Sequence, residues 1–243
     1  IRERKQRWML LFLLAAIVPP LMATQSRSSY LAALPTVFVL AFLSERRKFV
    51  IPLVIIGLIV SPLFLPSAVK ERIAYTFSQS YHEGQIQVGD IRLDTSTSAR
   101  LESWIEGIKS WMKKPIIGFG VTGYTFLDAQ YVRVLVETGI VGLAAFFYLL
   151  YSVFKLIRST WDQVTNPLHK GLLKGFLAGY VAMLFHSIGA NTFIIVRIME
   201  PFWFVAGIIT ILPAIEAARE NAPQVSESVS SHISPWIRAK SRP

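Results

Sequence analysis

The sequence from residue 98 to residue 142, SARLESWIEGIKSWMKKPIIGFGVTGYTFLDAQYVRVLVETGIVG, joins a polar segment to an apolar one. It begins as a polar helical pattern with two tryptophans, is interrupted at Lys114-Pro115, and passes through a glycine-rich turn. It then becomes an apolar helical pattern that still carries Arg133 and Glu137. Proline lacks the amide proton that a helix interior needs, so we expect two separate helices. The pattern indicates a chain that passes from water into a membrane.

The composition of the whole chain supports a membrane protein. Its 243 residues are 53% hydrophobic, the mean hydropathy is +0.47, and the apolar residues are gathered into blocks long enough to cross a bilayer. We therefore predict an all-α fold, a polytopic transmembrane helical bundle with about six spans. There is no cysteine, which excludes disulfides and thiolate metal sites. Because the chain opens with Ile1 rather than Met, we expect that an N-terminal part of a longer protein is missing.

The basic residues predict how the spans are oriented. Clusters at residues 1–7 and 45–48 flank apolar runs, and such clusters mark the cytoplasmic side. The segment 67–130 has seven Lys/Arg and seven Asp/Glu, so it is expected outside, in the periplasm. The net charge of +10 then reflects topology, and no nucleic-acid partner is needed. The predicted organisation is three spans in 1–66, an external loop in 67–130, three spans in 131–215, and a disordered cytoplasmic tail in 216–243.

Within the external loop, residues 97–114 predict an amphipathic helix. Apolar residues recur at helical spacing while most charged residues fall on the other face; the apolar set is Leu101, Trp104, Ile108, Trp111 and Met112. Aromatic side chains opposite charge are typical of a helix that lies on the membrane surface. The pattern Gly118-x-Gly120-x-x-Gly123 follows this helix rather than a strand, so a dinucleotide site is not expected. Its glycines would allow a sharp turn into the next span.

Three charged residues on the predicted external side are the candidate catalytic group. Arg27 lies between two spans, Arg100 in the amphipathic helix, and Asp128 just before a span. Two guanidiniums with a carboxylate could hold a diphosphate and activate a hydroxyl. Each residue also has a structural alternative: Arg27 could reach lipid phosphates, Arg100 could be a solvated helix charge, and Asp128 could cap a helix.

Three further positions complete the analysis of single residues. Arg133 and Glu137 are four residues apart and could form an ion pair within the span, although charge inside an apolar segment also favours a functional role. His186 lies in a predicted span and is interpreted as a structural residue that bonds to a neighbouring helix. No His/Asp/Glu cluster has metal-ligand spacing, so no metal site is predicted.

The sequence resembles the O-antigen ligase and polymerase family of bacterial membrane proteins, in the C-terminal part of its pattern. The resemblance rests on four motifs in order: Ser26-Arg27-Ser28, Arg100-x-x-x-Trp104, Pro115-x-x-Gly118-x-Gly120, and Tyr131-x-x-x-Leu135-x-Glu137-x-Gly139-x-x-Gly142. It covers roughly residues 8–215. Because such proteins have further N-terminal spans, this chain alone is expected to lack part of the lipid-binding groove and to be inactive.

The resemblance implies a glycosyl transfer at the outer face of the inner membrane. The donor would be a glycan linked to undecaprenyl diphosphate, and the acceptor another glycan or a lipid. Arg27 and Arg100 would contact the diphosphate and Asp128 would act on the acceptor hydroxyl, while Tyr131, Arg133 and Glu137 are expected to bind substrate. No metal or other cofactor is expected. The lipid bilayer and proteins of polysaccharide export or assembly are the remaining expected partners.

One departure from the family pattern affects the predicted reaction. Ligase-like members commonly have His-Asn where this chain has Asp128-Ala129. A carboxylate of ordinary pKa is a weaker base near neutral pH than histidine. This favours polymerisation of O-antigen, capsule or exopolysaccharide repeats over ligation to lipid A-core or protein. Two alternatives outside the enzyme class are a bicarbonate transporter, in which Arg27 and Arg133 serve an anion path, and a scaffold.

Overall fold

The structure is a bundle of α-helices with one very short pair of strands. The computed structural model describes residues 4–24, 26–80, 82, 84–88 and 91–232. The helices are α1 (Arg4–Ala23), α2 (Arg27–Phe42), α3 (Arg47–Phe64), α4 (Ser67–Ser78), α5 (Thr95–Trp111), α6 (Gln130–Trp161), α7 (Pro167–His186) and α8 (Val196–His232). Strands β1 (Gln87–Val88) and β2 (Ile91–Arg92) pair antiparallel, with Gln87 opposite Arg92. The all-α prediction is confirmed, apart from this two-residue pair.

Three helices among the described residues are long and apolar enough to cross a bilayer. They are α3, α6 and the part of α8 from Val196 to Arg219, and shorter apolar segments occupy Trp8–Ala23 and Arg27–Phe42. The protein is therefore a membrane protein. The six predicted spans correspond to α1, α2, α3, α6, α7 and α8. Their number and their sidedness stay predictions.

The core of the bundle lies where α6, α7 and α8 meet. Leu173 and Ile209 are fully buried there, and the rings of Phe176 and Phe202 stack 5.1 Å apart. The hydroxyl of Tyr180 donates a hydrogen bond of 2.8 Å to the Leu150 carbonyl. Lipid is as apolar as these side chains, so close packing and such hydrogen bonds, rather than exclusion of water, hold helices together in a bilayer.

Helix α2 packs on α7, which places the first part of the chain against this core. The side chain of Ser26 caps α2 by accepting from the amide of Ser29, at 3.4 Å. Helix α7 begins with Pro167, whose ring suits the first helical turn, and Asn166 caps it by accepting from the Leu168 amide. All side chains of α3 are at least partly exposed, as expected for a helix that faces lipid.

The glycine-rich turn is interlocked with a break in α6. Gly139 has φ 64°, so the helix is interrupted there and its neighbouring backbone groups are free to pair. The amides of Phe119 and Gly120 donate to the carbonyls of Val136 and Glu137 at 3.0 and 2.8 Å. In return the amide of Ile140 donates to the Pro115 carbonyl at 2.9 Å. The predicted turn is thus also a backbone clasp, in which residues 115–120 are hydrogen-bonded to residues 136–140 of α6.

Helix α5 occupies Thr95–Trp111 rather than the predicted 97–114, and it packs against α6. A Cβ at Gly107 would meet the Val136 side chain of α6 at 3.4 Å, which shows how closely the two helices approach. Trp104 and Trp111 are half-buried, whereas Ile108 and Met112 are exposed. The predicted apolar face is therefore divided between a protein contact and an exposed surface. Because α6 is apolar too, the sequence pattern could not distinguish these two environments.

The C-terminal part of the chain differs from the prediction in one boundary. Within the segment 131–215, α7 ends at His186, and a turn and the short helix Thr192–Ile194 lead to α8. Disorder was predicted from residue 216, but α8 continues to His232. Glu216 is buried and accepts hydrogen bonds from the Thr165 and Asn166 amides at 2.6 and 3.1 Å. These bonds order a segment whose polar composition suggested solvent. Residues 233–243 lie outside the described chain.

Candidate functional site

Arg27, the first residue of α2, is held by an acid from the external segment. Its Nη1 and Nη2 atoms donate to the two carboxylate oxygens of Asp94 at 2.8 and 2.7 Å. Nη1 also donates to the hydroxyl of Thr97 at 2.7 Å. The contact spans 67 residues of sequence and fastens the start of α5 to the start of α2.

The carboxylate of Asp94 is fully buried in this contact. Burial opposes ionisation, but hydrogen bonds from Arg27 and Thr97 and the charge of Arg27 outweigh it, so the pKa of Asp94 is lowered below its ordinary value. The group is therefore an anion at neutral pH. A paired guanidinium and carboxylate in this setting form a strong, directional contact.

Arg100 and Asp128 form a second ion pair, on the same side of α5. Arg100 Nη2 lies 2.9 Å from Asp128 Oδ2, and the two side chains are 39% and 35% exposed. Thr97 and Arg100 are three residues apart, so they lie on adjacent turns of one helix face. Helix α5 thereby brings Arg27, through Thr97, to the neighbourhood of the Arg100–Asp128 pair. The pair is open to solvent, as a site for an anionic substrate requires.

Asp128 is positioned by bonds to the residues on either side of it. The Asn191 side chain donates to the Leu127 carbonyl at 2.7 Å, and the Gln130 amide donates to the Ser187 carbonyl at 3.1 Å. The Gln130 side chain accepts from the Phe193 amide at 3.0 Å. The segment that follows α7 therefore fixes the backbone at Asp128, although the two are separated by about sixty residues.

The other predicted substrate-binding residues have partners within the protein. Arg133 Nε and Glu137 Oε1 form an ion pair of 3.0 Å, and both side chains are mostly buried. The Tyr131 hydroxyl donates to the Leu184 carbonyl at 2.8 Å, and its ring stacks on Phe147. Each contact is a structural one within the bundle. Their binding to substrate stays a prediction.

Sequence reasoning missed Asp94 and Thr97, and it interpreted His186 as structural. Asp94 stands just before α5, which is typical of a helix cap, and no local pattern indicates a partner as distant as Arg27. His186 Nδ1 lies 2.7 Å from the Thr192 hydroxyl. His186 also lines an apolar groove of about 290 Å³ between α2 and α7, together with Ser29, Ala32 and Thr36.

No metal-binding cluster occurs within the described ranges. A group of three His, Cys, Asp or Glu side chains that could hold an ion is absent from them.

Comparison with models of protein families shows which family the chain belongs to. A family model described as O-Antigen ligase matches residues 8–147, which is more than half of the chain. The chain belongs to the O-antigen ligase family. No curated protein matches it. The matched part includes α1 to α5 and the first half of α6, and thus Arg27, Asp94, Arg100 and Asp128, whereas His186 lies beyond it. Membership in this family indicates a membrane glycan ligase or polymerase that acts on glycan and lipid-linked substrates.

Proposed function

We propose that this member of the O-antigen ligase family polymerises oligosaccharide repeats linked to undecaprenyl diphosphate, for O-antigen, capsule or exopolysaccharide. The observation that carries the proposal is the half-exposed Arg100–Asp128 pair, which lies one helical turn from the residue that binds Arg27. The site would face the periplasm from the inner membrane, because the segment 67–130 is electrically balanced while the basic clusters lie elsewhere.

In this proposal the arginines bind the donor and the carboxylate acts on the acceptor. Arg27 and Arg100 contact the diphosphate and stabilise the charge that it gains as it leaves. An acceptor hydroxyl attacks the anomeric carbon, a new glycosidic C–O bond forms, and the bond from that carbon to the diphosphate breaks. The electron pair leaves with undecaprenyl diphosphate, and the hydroxyl proton passes to the carboxylate of Asp128. Arg100 must then release Asp128, which its solvent-exposed position permits.

The polymerase assignment, rather than ligation, rests on Asp128 at the position where ligase-like members have histidine. Transport of bicarbonate has less support, because Arg27 and Arg133 are each paired with a carboxylate, Asp94 and Glu137, in the contacts described above. A scaffold would need none of these charged contacts to be intact. The three roles therefore differ in what the loss of one arginine would do.

The test is Arg100→Ala in the full-length protein, expressed in the native host at matched membrane abundance. Surface glycan is resolved by length, and undecaprenyl-linked intermediates are quantified. We expect long chains to disappear and single lipid-linked repeats to accumulate, because Arg100 would hold the donor diphosphate. Arg158→Ala is the matched control, since Arg158 forms an exposed ion pair with Asp162 at the far end of α6.

Other outcomes of this experiment identify other functions. Full-length chains that remain lipid-linked but unattached would indicate ligation. If both pools match those of the Arg158→Ala control, glycosyl transfer through Arg100 is wrong, and bicarbonate uptake is the next assay.

A further inference from the structure

Asp94 leaves one edge of the Arg27 guanidinium free. A guanidinium has five N–H donors, and its contacts to Asp94 and Thr97 use three of them, all on Nη1 and Nη2. The remaining donors are Nε–H and one proton of Nη2. These two point along one edge of the planar group and can bind an oxyanion through two parallel hydrogen bonds.

The Nε atom on this edge is buried and has no hydrogen-bond partner among the described residues. A buried donor without an acceptor is costly, so an acceptor that reaches this edge gains more than it would at a solvated arginine. The adjacent Nη1–Nη2 edge is fixed by the carboxylate of Asp94, which is itself fully buried. Arg27 is therefore held in one orientation, with an unsatisfied edge turned away from Asp94.

We propose that Asp94 is a positioning residue of the site: it holds Arg27 so that the Nε–Nη2 edge binds a phosphate oxygen of the donor, and it fixes α5 so that Arg100 stands beside it. Asp94 does not touch the reacting atoms. It acts through Arg27 on one side and, as the residue before α5, through the helix that carries Thr97 and Arg100 on the other. The inference rests on the proposed function, because it assumes that the anion is the diphosphate of the donor.

The geometry explains why an arginine whose charge is balanced by a carboxylate can still bind an anion. The pair of Arg27 and Asp94 has no net charge, so it adds little long-range attraction. What it supplies is a pre-oriented pair of donors that needs no side-chain ordering when the ligand arrives. Arg100 is also paired with a carboxylate, but that pair with Asp128 is half-exposed, so Arg100 can exchange its partner for the ligand. Two arginines of one site would then have different tasks, one of fixed orientation and one of partner exchange.

The test measures binding of undecaprenyl diphosphate to the full-length protein in nanodiscs. The probe is the rise of the thermal midpoint with the mole fraction of undecaprenyl diphosphate, and undecaprenol is the uncharged comparison. We expect Asp94→Asn to weaken the binding of undecaprenyl diphosphate by about tenfold or more, because the charge-assisted bonds that orient Arg27 are lost. Arg158→Ala is the control that keeps wild-type binding.

A charge exchange separates positioning from stability. In the double variant Arg27→Asp, Asp94→Arg the ion pair can form again. The guanidinium then extends from the residue before α5 instead of from the first residue of α2. We expect the thermal midpoint to recover relative to Asp94→Asn, while binding of undecaprenyl diphosphate stays weak. If exchange restores both, Asp94 is only a structural partner, and the proposal is overturned.

Two further variants cover the case in which Asp94→Asn does not fold, and they separate the role of Asp94 from the proposed function. If Asp94→Asn does not fold, Thr97→Val removes one bond to Arg27 and leaves the carboxylate, and we expect a smaller loss of binding. Arg27→Ala tests the site itself. If Arg27→Ala binds undecaprenyl diphosphate as tightly as wild type, the proposed role of Arg27 fails. If Arg27→Ala loses binding while Asp94→Asn and Thr97→Val retain it, only the role of Asp94 is wrong.

Discussion

The two arginines of the proposed site have contrasting surroundings, and the contrast follows from their positions. Arg27 is 21% exposed and faces a buried carboxylate, whereas Arg100 is 39% exposed and faces a half-exposed one. A buried pair is costly to break because either partner would leave an uncompensated charge, while an exposed pair contributes little to stability. Arg27 is thus part of the framework as well as the site, and Arg100 is free to exchange its partner.

The buried pair predicts a pH dependence of stability. The carboxyl of Asp94 has a folded pKa below its ordinary value of 3.8, so the unfolded chain binds the proton more readily than the folded one. The stabilisation from this group is therefore present above about pH 4 and is lost as the pH falls through the folded pKa. We expect the thermal midpoint of wild type to fall more steeply than that of Asp94→Asn as the pH falls below about 4, through the ordinary pKa of Asp94 and then through its lowered folded pKa.

The measurement compares thermal unfolding of the two proteins in the same detergent, at a series of pH values. Other carboxyl groups titrate in this range in both proteins, so the difference between the two curves isolates Asp94. Parallel curves would show that the Asp94 carboxylate does not stabilise the fold.

At the scale of elements, the connection between α5 and α6 depends on two glycines. Each lacks a side chain where the backbone of the other segment approaches closely. Gly118 and Gly139 have φ values of 67° and 64°, a region that favours glycine. A Cβ at Gly118 would collide with the Val136 carbonyl, and one at Gly139 with the Ile116 carbonyl. The clasp holds the backbone between Arg100 and Asp128, and it therefore sets where the ion pair of the site can form.

We expect Gly139→Ala to destabilise the protein by roughly 2–5 kcal/mol, because backbone strain and a collision with backbone act together. Gly179→Ala is the matched control, since Gly179 lies within α7 and an added Cβ there meets nothing within 4 Å. Alanine at this helical position is expected to stabilise by about 0.5–1 kcal/mol.

Thermal or denaturant unfolding of the purified full-length variants measures both changes. Equal midpoints for Gly139→Ala and Gly179→Ala would contradict the role of the clasp. A lower midpoint for Gly139→Ala, together with loss of long glycan chains, would show that the site depends on the clasp.

At the scale of the whole molecule, the sequence was informative where a property is local and uninformative where it depends on distant packing. Apolar blocks predicted the helices. Charge balance placed Arg27, Arg100 and Asp128 on one side of the membrane, and this grouping stays a prediction. The partnership of Arg27 with Asp94 joins residues 67 positions apart, and nothing in either neighbourhood specifies it. The break at Gly139 was hidden because apolar residues continue at helical spacing on both sides. Glu216 looked like the start of a solvated tail, because polar composition does not reveal a buried hydrogen-bond network.

The orientation in the membrane is the prediction on which the external position of the site depends. These 243 residues contain no cysteine, so only cysteines outside them have to be replaced before single cysteines are introduced one at a time. Glu102 is exposed on α5 and Asp162 is exposed just after α6. The positive-inside distribution predicts that these two positions lie on opposite sides of the membrane. We expect Glu102→Cys to react with a membrane-impermeant maleimide in intact spheroplasts, and Asp162→Cys to react only after permeabilisation. The reverse pattern would place Arg100 and Asp128 in the cytoplasm, where a glycan donor carried on the outer face could not reach them, and the glycosyl-transfer proposal would fail even if both ion pairs were intact.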